Sequence, residues 1–136
     1  MSAPAGAGVP ILRLGDVLVT GLLSELDDKA AVALTEELTQ RVASERVRGV
    51  LIDISRLELI DSFVARALME LTTSARLLGA RVVVCGMRPA VAITLVELGL
   101  ALTGVETALN AERGMTALGW SRGHLPQEGA GDAPPR

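Results

Sequence analysis

Aromatic side chains are nearly absent: the 136 residues hold one Phe, one Trp and no Tyr. A stacking platform for nucleic-acid bases needs aromatic faces in series, so that class is excluded. Lysine is as scarce, with Lys29 alone among thirteen basic residues, which leaves little room for lysine catalysis. Cys85 is the single cysteine, so no intramolecular disulfide can form. It sits in Val82-Val83-Val84-Cys85 and reads as a buried strand residue. One Cys and one His, far apart, do not make a zinc site, and neither metal nor cofactor is expected. No basic cluster is present and the net charge is −3, so nucleic acid and anionic membrane are not expected partners. No run approaches the ~20 apolar residues of a membrane span. Ser2 to Pro10 carry no signal-peptide pattern, and the chain reads as cytoplasmic.

Apolar residues are plentiful at 49%, enough for one well-filled core. They are arranged as alternating strands and helices. Ile11–Leu14 and Val17–Thr20 read as two strands joined by a tight turn at Gly15-Asp16. Ser24-Glu25-Leu26-Asp27-Asp28 is dense in helix-start residues, and Ala31, Leu34, Leu38 and Val42 then mark one helix face. Val50–Ile54 is continuously apolar, as in a central parallel strand covered on both sides. From Ser62 a second helix carries Val64, Leu68, Leu71, Ala75 and Leu78 on one side, and Gly79 closes it. Arg81–Cys85 is another buried strand. Arg88-Pro89 opens a third helix that Gly99 ends. Val105–Leu109 reads as a last strand and Ala111–Leu118 as a last helix. The order β-β-α-β-α-β-α-β-α implies an α/β fold with a mixed, mostly parallel sheet, an opening antiparallel hairpin and about four helices. Residues 1–9 read as a flexible arm, 10–119 as the domain, and 120–136, rich in Gly, Pro and Ala, as a disordered tail.

Ile60-Asp61-Ser62-Phe63 is the most informative stretch. It places a hydroxyl where a loop becomes a helix N-terminus, with unpaired N–H groups and a dipole that favours negative charge. Such a serine is read first as a helix cap, and second as a place to add a phosphate. Phe63, beside the loop, is a candidate partner contact. Asp53, Glu58 and Asp61 are close in sequence and suit capping and strand-end solvation. No catalytic apparatus accompanies Ser62. The only His, His124, lies in the expected tail, and Ser62 is not in a Gly-x-Ser-x-Gly elbow. No loop matches a phosphate-binding glycine pattern.

Several stretches together resemble the STAS domain family of anti-sigma factor antagonists: Pro10-Ile11-Leu12, Glu25-Leu26-Asp27-Asp28, Ile60-Asp61-Ser62-Phe63-Val64-Ala65, Gly79-Ala80-Arg81-Val82-Val83, Pro89 through Gly99, and Val105-Glu106-Thr107-Ala108-Leu109. Free antagonists of the family follow Asp-Ser with a small residue and a Gly. Phe63 stands there instead, which brings the chain nearer to the stressosome scaffold type, RsbS. The resemblance implies a non-enzyme. Ser62 would be the phosphoacceptor, and Glu58, Asp61, Ser62 and Phe63 the partner-binding residues. The implied partners are a switch serine kinase of the RsbT type, an RsbR-type sensor paralogue and a PP2C-type phosphatase, within a homo- and hetero-oligomer that regulates a stress-response pathway. The alternative within the family is a small-molecule-binding domain, such as a lipid-transport accessory or a nucleotide sensor.

Residues 121–136 contain one large aliphatic, Leu125, too little apolar area to offset the entropy of ordering the segment. Deleting Ser121–Arg136 is therefore expected to leave the melting temperature within a few degrees of the full chain's, as read by calorimetry. A large fall would show that the segment packs on the domain.

Overall fold

The structure is a computed structural model and describes residues 9–23, 26–100, 102 and 104–120. The expectations for residues 1–8, Ser24, Glu25 and everything from Ser121 lie outside the described residues. Five strands and four helices alternate as the sequence pattern requires: β1 (Ile11–Leu14), β2 (Val17–Gly21), α1 (Asp28–Ser44), β3 (Gly49–Asp53), α2 (Ser62–Leu77), β4 (Arg81–Cys85), α3 (Pro89–Glu97), β5 (Glu106–Ala108) and α4 (Ala111–Ala117). The sheet order is β1-β2-β3-β4-β5. β1 and β2 are antiparallel, and every other neighbour pair is parallel. This is the mixed sheet with an opening hairpin that the sequence implies.

Successive crossovers between adjacent parallel strands share one hand, so α1, α2 and α3 fall on the same side of the sheet. Their buried residues join Leu18, Val50, Ile52, Val82 and Val84 in the larger core. α1 buries the four residues that its periodicity marks: Ala31, Leu34, Leu38 and Val42. On α2, Leu78 departs from the expected face and is exposed. The reason is local: Gly79 takes φ 97°, its N–H donates to the Arg76 carbonyl, and Ala80 N–H donates to the Ala75 carbonyl. That pair of bonds turns the chain away at Leu78.

Among the described helices, α4 alone packs on the opposite side of the sheet. Leu51, Val83, Cys85 and Val17 meet Met115 and Leu118 there. The contact is close because Gly114 lies against the Leu51 side chain, leaving no room for a Cβ. Val9, read from sequence as part of the arm, is buried in the larger core. Trp120, read as the first tail residue, packs against the smaller core, and its N–H donates to the Met115 carbonyl at 2.9 Å. At the β5 edge, Arg81 makes a two-pronged ion pair to Glu106, with bonds of 2.9 and 2.7 Å. The guanidinium hydrogen bonds hold the Glu106 carboxyl below its ordinary pKa.

Leu118 is fully buried, and a Cβ on Gly49 would stand 2.6 Å from its Cδ2. Leu118→Ala is expected to cost about 2–5 kcal/mol, and Gly49→Ala about 1–3 kcal/mol through overpacking. Because each change relieves the other's defect, the double variant should lose clearly less than the sum. Urea denaturation of the four chains measures this; strict additivity would mean that the two residues do not share the space.

Candidate functional site

The site grows from the carboxyl end of β3. Asp53 turns the chain by accepting the Ser55 N–H on its Oδ1 at 2.9 Å. The Ile54 N–H donates to the Cys85 carbonyl of β4. From there to α2 the loop buries every third residue: Ile54, Leu57 and Ile60. Each such burial is worth about 1.5–3 kcal/mol relative to exposure. Ser55, Arg56, Glu58, Leu59, Asp61 and Ser62 are turned outward. The junction between β4 and α3 supports the loop from beside. Arg88 Nε donates to the Ser55 carbonyl at 2.9 Å. Gly86, at φ 77°, sits so near that a Cβ there would be 2.7 Å from the Ser55 Cβ, so this position has both the conformation and the closeness that call for glycine.

Ser62 is the first residue of α2, and it is exposed. It is not the cap. Asp61 occupies that position with extended backbone, φ −101° and ψ 175°, and its Oδ1 accepts the Val64 N–H at 2.8 Å. Asp61 also starts the helical ladder, its carbonyl accepting from Ala65 N–H at 2.9 Å. The cap-first reading of Ser62 is therefore corrected by one residue: the Asp61 carboxylate takes the free Val64 N–H. The Ser62 hydroxyl forms no hydrogen bond with another described residue.

The other candidates flank Ser62 on two sides. Glu58 and Asp61, with Leu59, line a shallow depression of about 450 Å³ over Leu57, Ile60 and Val64. Phe63 is half-buried against the larger core and faces a groove of about 360 Å³ between α1 and α2, beside Val32, Arg66 and Glu70. Glu58 thus shares a surface with Asp61, while Phe63 belongs to the next one. Leu59 was not singled out from sequence, yet it is 75% exposed at the middle of the loop. The signal was its place between Glu58 and Ile60 in a segment too short for periodicity to assign a face. Asp53 and Asp61 act as hydrogen-bonding turn and cap residues. Among the described residues no group of three or more His, Cys, Asp or Glu is placed to hold a metal ion. Cys85 is buried, and burial, with the Asp53 charge adding to it, pushes its thiol up to about 11. It is protonated at neutral pH and inert as a nucleophile. Among the described residues no helix is long and apolar enough to cross a membrane.

The family model described as the STAS domain matches residues 9–110. The RsbT co-antagonist protein RsbRA of Bacillus subtilis (strain 168) is 33% identical over 119 residues, covering 87% of this chain and 42% of that protein. The chain spans about two fifths of the length of such curated relatives. Among solved structures, a serine-to-glutamate variant of RsbS from Moorella thermoacetica is 43% identical with a TM-score of 0.76, covering 82% of this chain and 95% of that one. A chain from a structure titled as the molecular architecture of the stressosome is 44% identical with a TM-score of 0.74, covering 81% and 96%. These relatives are antagonists and scaffold components, not enzymes. With the family model matched over residues 9–110 and a solved relative 43% identical over most of both chains, the chain belongs to the STAS domain family.

Proposed function

We propose that this protein is a phospho-switched stressosome scaffold and antagonist whose acceptor is Ser62. The observation that carries the reading is an exposed hydroxyl on the first residue of α2, with the capping bond made by Asp61 instead. Ser62 therefore has no structural task that modification would interrupt. A switch serine kinase of the RsbT type transfers the γ-phosphoryl group of ATP to Ser62 Oγ; the hydroxyl proton departs and ADP is released. The product gains about −1.5 to −2 charges and three acceptor oxygens. The α2 N-terminus tolerates that charge, so the fold survives.

The surface does not stay the same. Asp61 and Glu58 already make the outward loop acidic, and a docked kinase would have to desolvate a phosphate among them. The unphosphorylated form holds the kinase, and the phosphorylated form releases it. A PP2C-type phosphatase resets the site. An RsbR-type paralogue completes the assembly, in keeping with the co-antagonist names of the curated relatives and the stressosome title of a solved one.

Incubation with a cognate kinase and ATP, followed by intact mass and fragmentation, should show one phosphoryl group on Ser62 and none on Ser62→Ala. Label on Ser55 or Thr94 would overturn the assignment. Absence of label, with binding of a nucleotide or lipid, would favour the small-molecule reading. Stability separates the two neighbours as well. Ser62→Ala should change unfolding free energy by less than about 0.5 kcal/mol, whereas Asp61→Ala should cost about 0.5–2 kcal/mol; equal losses would return the cap to Ser62.

Binding supplies a further check. Titration calorimetry should show the kinase bound at least tenfold more weakly by the phosphoprotein than by the Ser62 form. Ser62→Asp should fall between them, because Asp carries one charge and a flatter acceptor than phosphate. Equal affinities for the two forms would remove the electrostatic account.

A further inference from the structure

α1 and α2 cross over between neighbouring parallel strands, so they run side by side in one direction, with their first turns at the end of the sheet that carries Ser62. Where those turns meet, the facing residues are small: Ala31 of α1 and Ala67 of α2 are both buried. Two alanines do not fill the space between packed helices, and a groove of about 360 Å³ is left above them. Val32, on the α1 side, is 52% exposed; Phe63, on the α2 side, is half-buried. On α2 the lining residues Phe63, Arg66, Ala67 and Glu70 recur at i, i+3, i+4 and i+7, a second stripe beside the buried Val64, Leu68 and Leu71. The chain's one Phe is thus spent on a half-open surface. Three ions rim the groove: Glu36, Arg66 and Glu70. None of them forms an ion pair or hydrogen bond with another described residue. Elsewhere on the surface, Glu45 and Glu106 are each held by arginine.

We infer that this groove is a docking site for a helix of the switch kinase, one that presents an aliphatic side chain to Phe63 and Val32 and basic side chains to Glu36 and Glu70. An amphipathic helix is the usual occupant of an apolar trough between two others. The rim selects its chemistry: two carboxylates against one guanidinium leave the groove net acidic. A two-fold contact with a second copy would set that charge against itself, and an acidic segment would be repelled. Position selects the kinase. Phe63 follows Ser62 in the chain, so whatever fills the groove stands beside the acceptor hydroxyl. A phosphatase can grip the phosphate itself, whereas a kinase held by the unmodified chain needs a grip elsewhere. The groove is separate from the depression that Glu58, Leu59 and Asp61 line, and its contacts are the same before and after phosphoryl transfer. The inference rests on the kinase reading of the proposed function and adds to it a recognition surface that Ser62 does not supply.

The kinetics of Ser62 phosphorylation by a cognate kinase, measured on the full chain, test this. Glu36→Lys and Glu70→Lys should each raise KM at least fivefold, with kcat within twofold and the melting temperature retained. A contact made equally in the ground and transition states acts on KM alone. Val32→Ser should act in the same direction. Glu97→Lys, the same charge change at the end of α3 and outside the groove, should leave KM as it was. A KM that neither glutamate change moves overturns the inference. So does an equal rise with Glu97→Lys, which would mean long-range charge. So does a loss of kcat at constant KM, which would give the groove a part in chemistry in place of docking. If the wild-type chain takes no label on Ser62, the switch reading falls by itself, and titration calorimetry of the same chains with the kinase decides the groove. Binding at least fivefold weaker in the glutamate variants upholds it, and equal binding or none overturns it.

Discussion

The structure depends on β3 being dry on both sides. Val50, Leu51 and Ile52 have no exposed surface. Val50 and Ile52 face the helices that cross over the sheet, and Leu51 faces α4. A parallel strand buried in this way cannot shift by one residue without exchanging its two faces, and here the faces differ. One meets the side chains of α1 and α2, and the other meets the bare backbone of Gly114. The carboxyl end of β3 is therefore held at one height relative to its neighbours. The Asp53 carbonyl takes the Leu22 N–H from β2's end, and the Ile54 N–H reaches the Cys85 carbonyl at β4's end.

Everything at the candidate site is suspended from that fixed end. The loop to α2 is nailed down at Ile54, Leu57 and Ile60, so its outward residues form a surface exposed among the described residues. Gly86 and Arg88 close in from the side without covering Ser62. The chemistry is correspondingly sparse: carboxylates that cap and turn, an unengaged hydroxyl, and an inert thiol beneath. Such an arrangement can be recognised and modified by another protein. Among the described residues, none places a general base beside the Ser62 hydroxyl.

Much of this was legible in the chain. The periodicity of α1 named its buried residues, and the continuous run Val50–Ile54 declared a strand covered twice. Gly79 marked the end of α2. The opening hairpin followed from Gly15-Asp16 between two aliphatic runs. The misreadings have a common cause, which is that one-residue questions are settled by tertiary contacts. Asp61 and Ser62 are both good caps in isolation, and only the folded chain shows that Asp61 takes the Val64 N–H. Leu59 went unmarked because a segment this short has no periodicity to tell which residue faces out. Trp120 looked like tail because its partners, Met115 and Gly15, are the far ends of other elements.

The Asp61 cap has a consequence for how the chain tolerates change. Folding is indifferent to position 62, since its side chain holds nothing in place, whereas position 61 is bound to its carboxylate. The two adjacent positions thus differ in what the fold asks of them: one supplies a carboxylate to the helix end, the other supplies nothing. On the proposed reading, a signal written at position 62 would be carried by surface chemistry alone, on a helix end that is already capped without it.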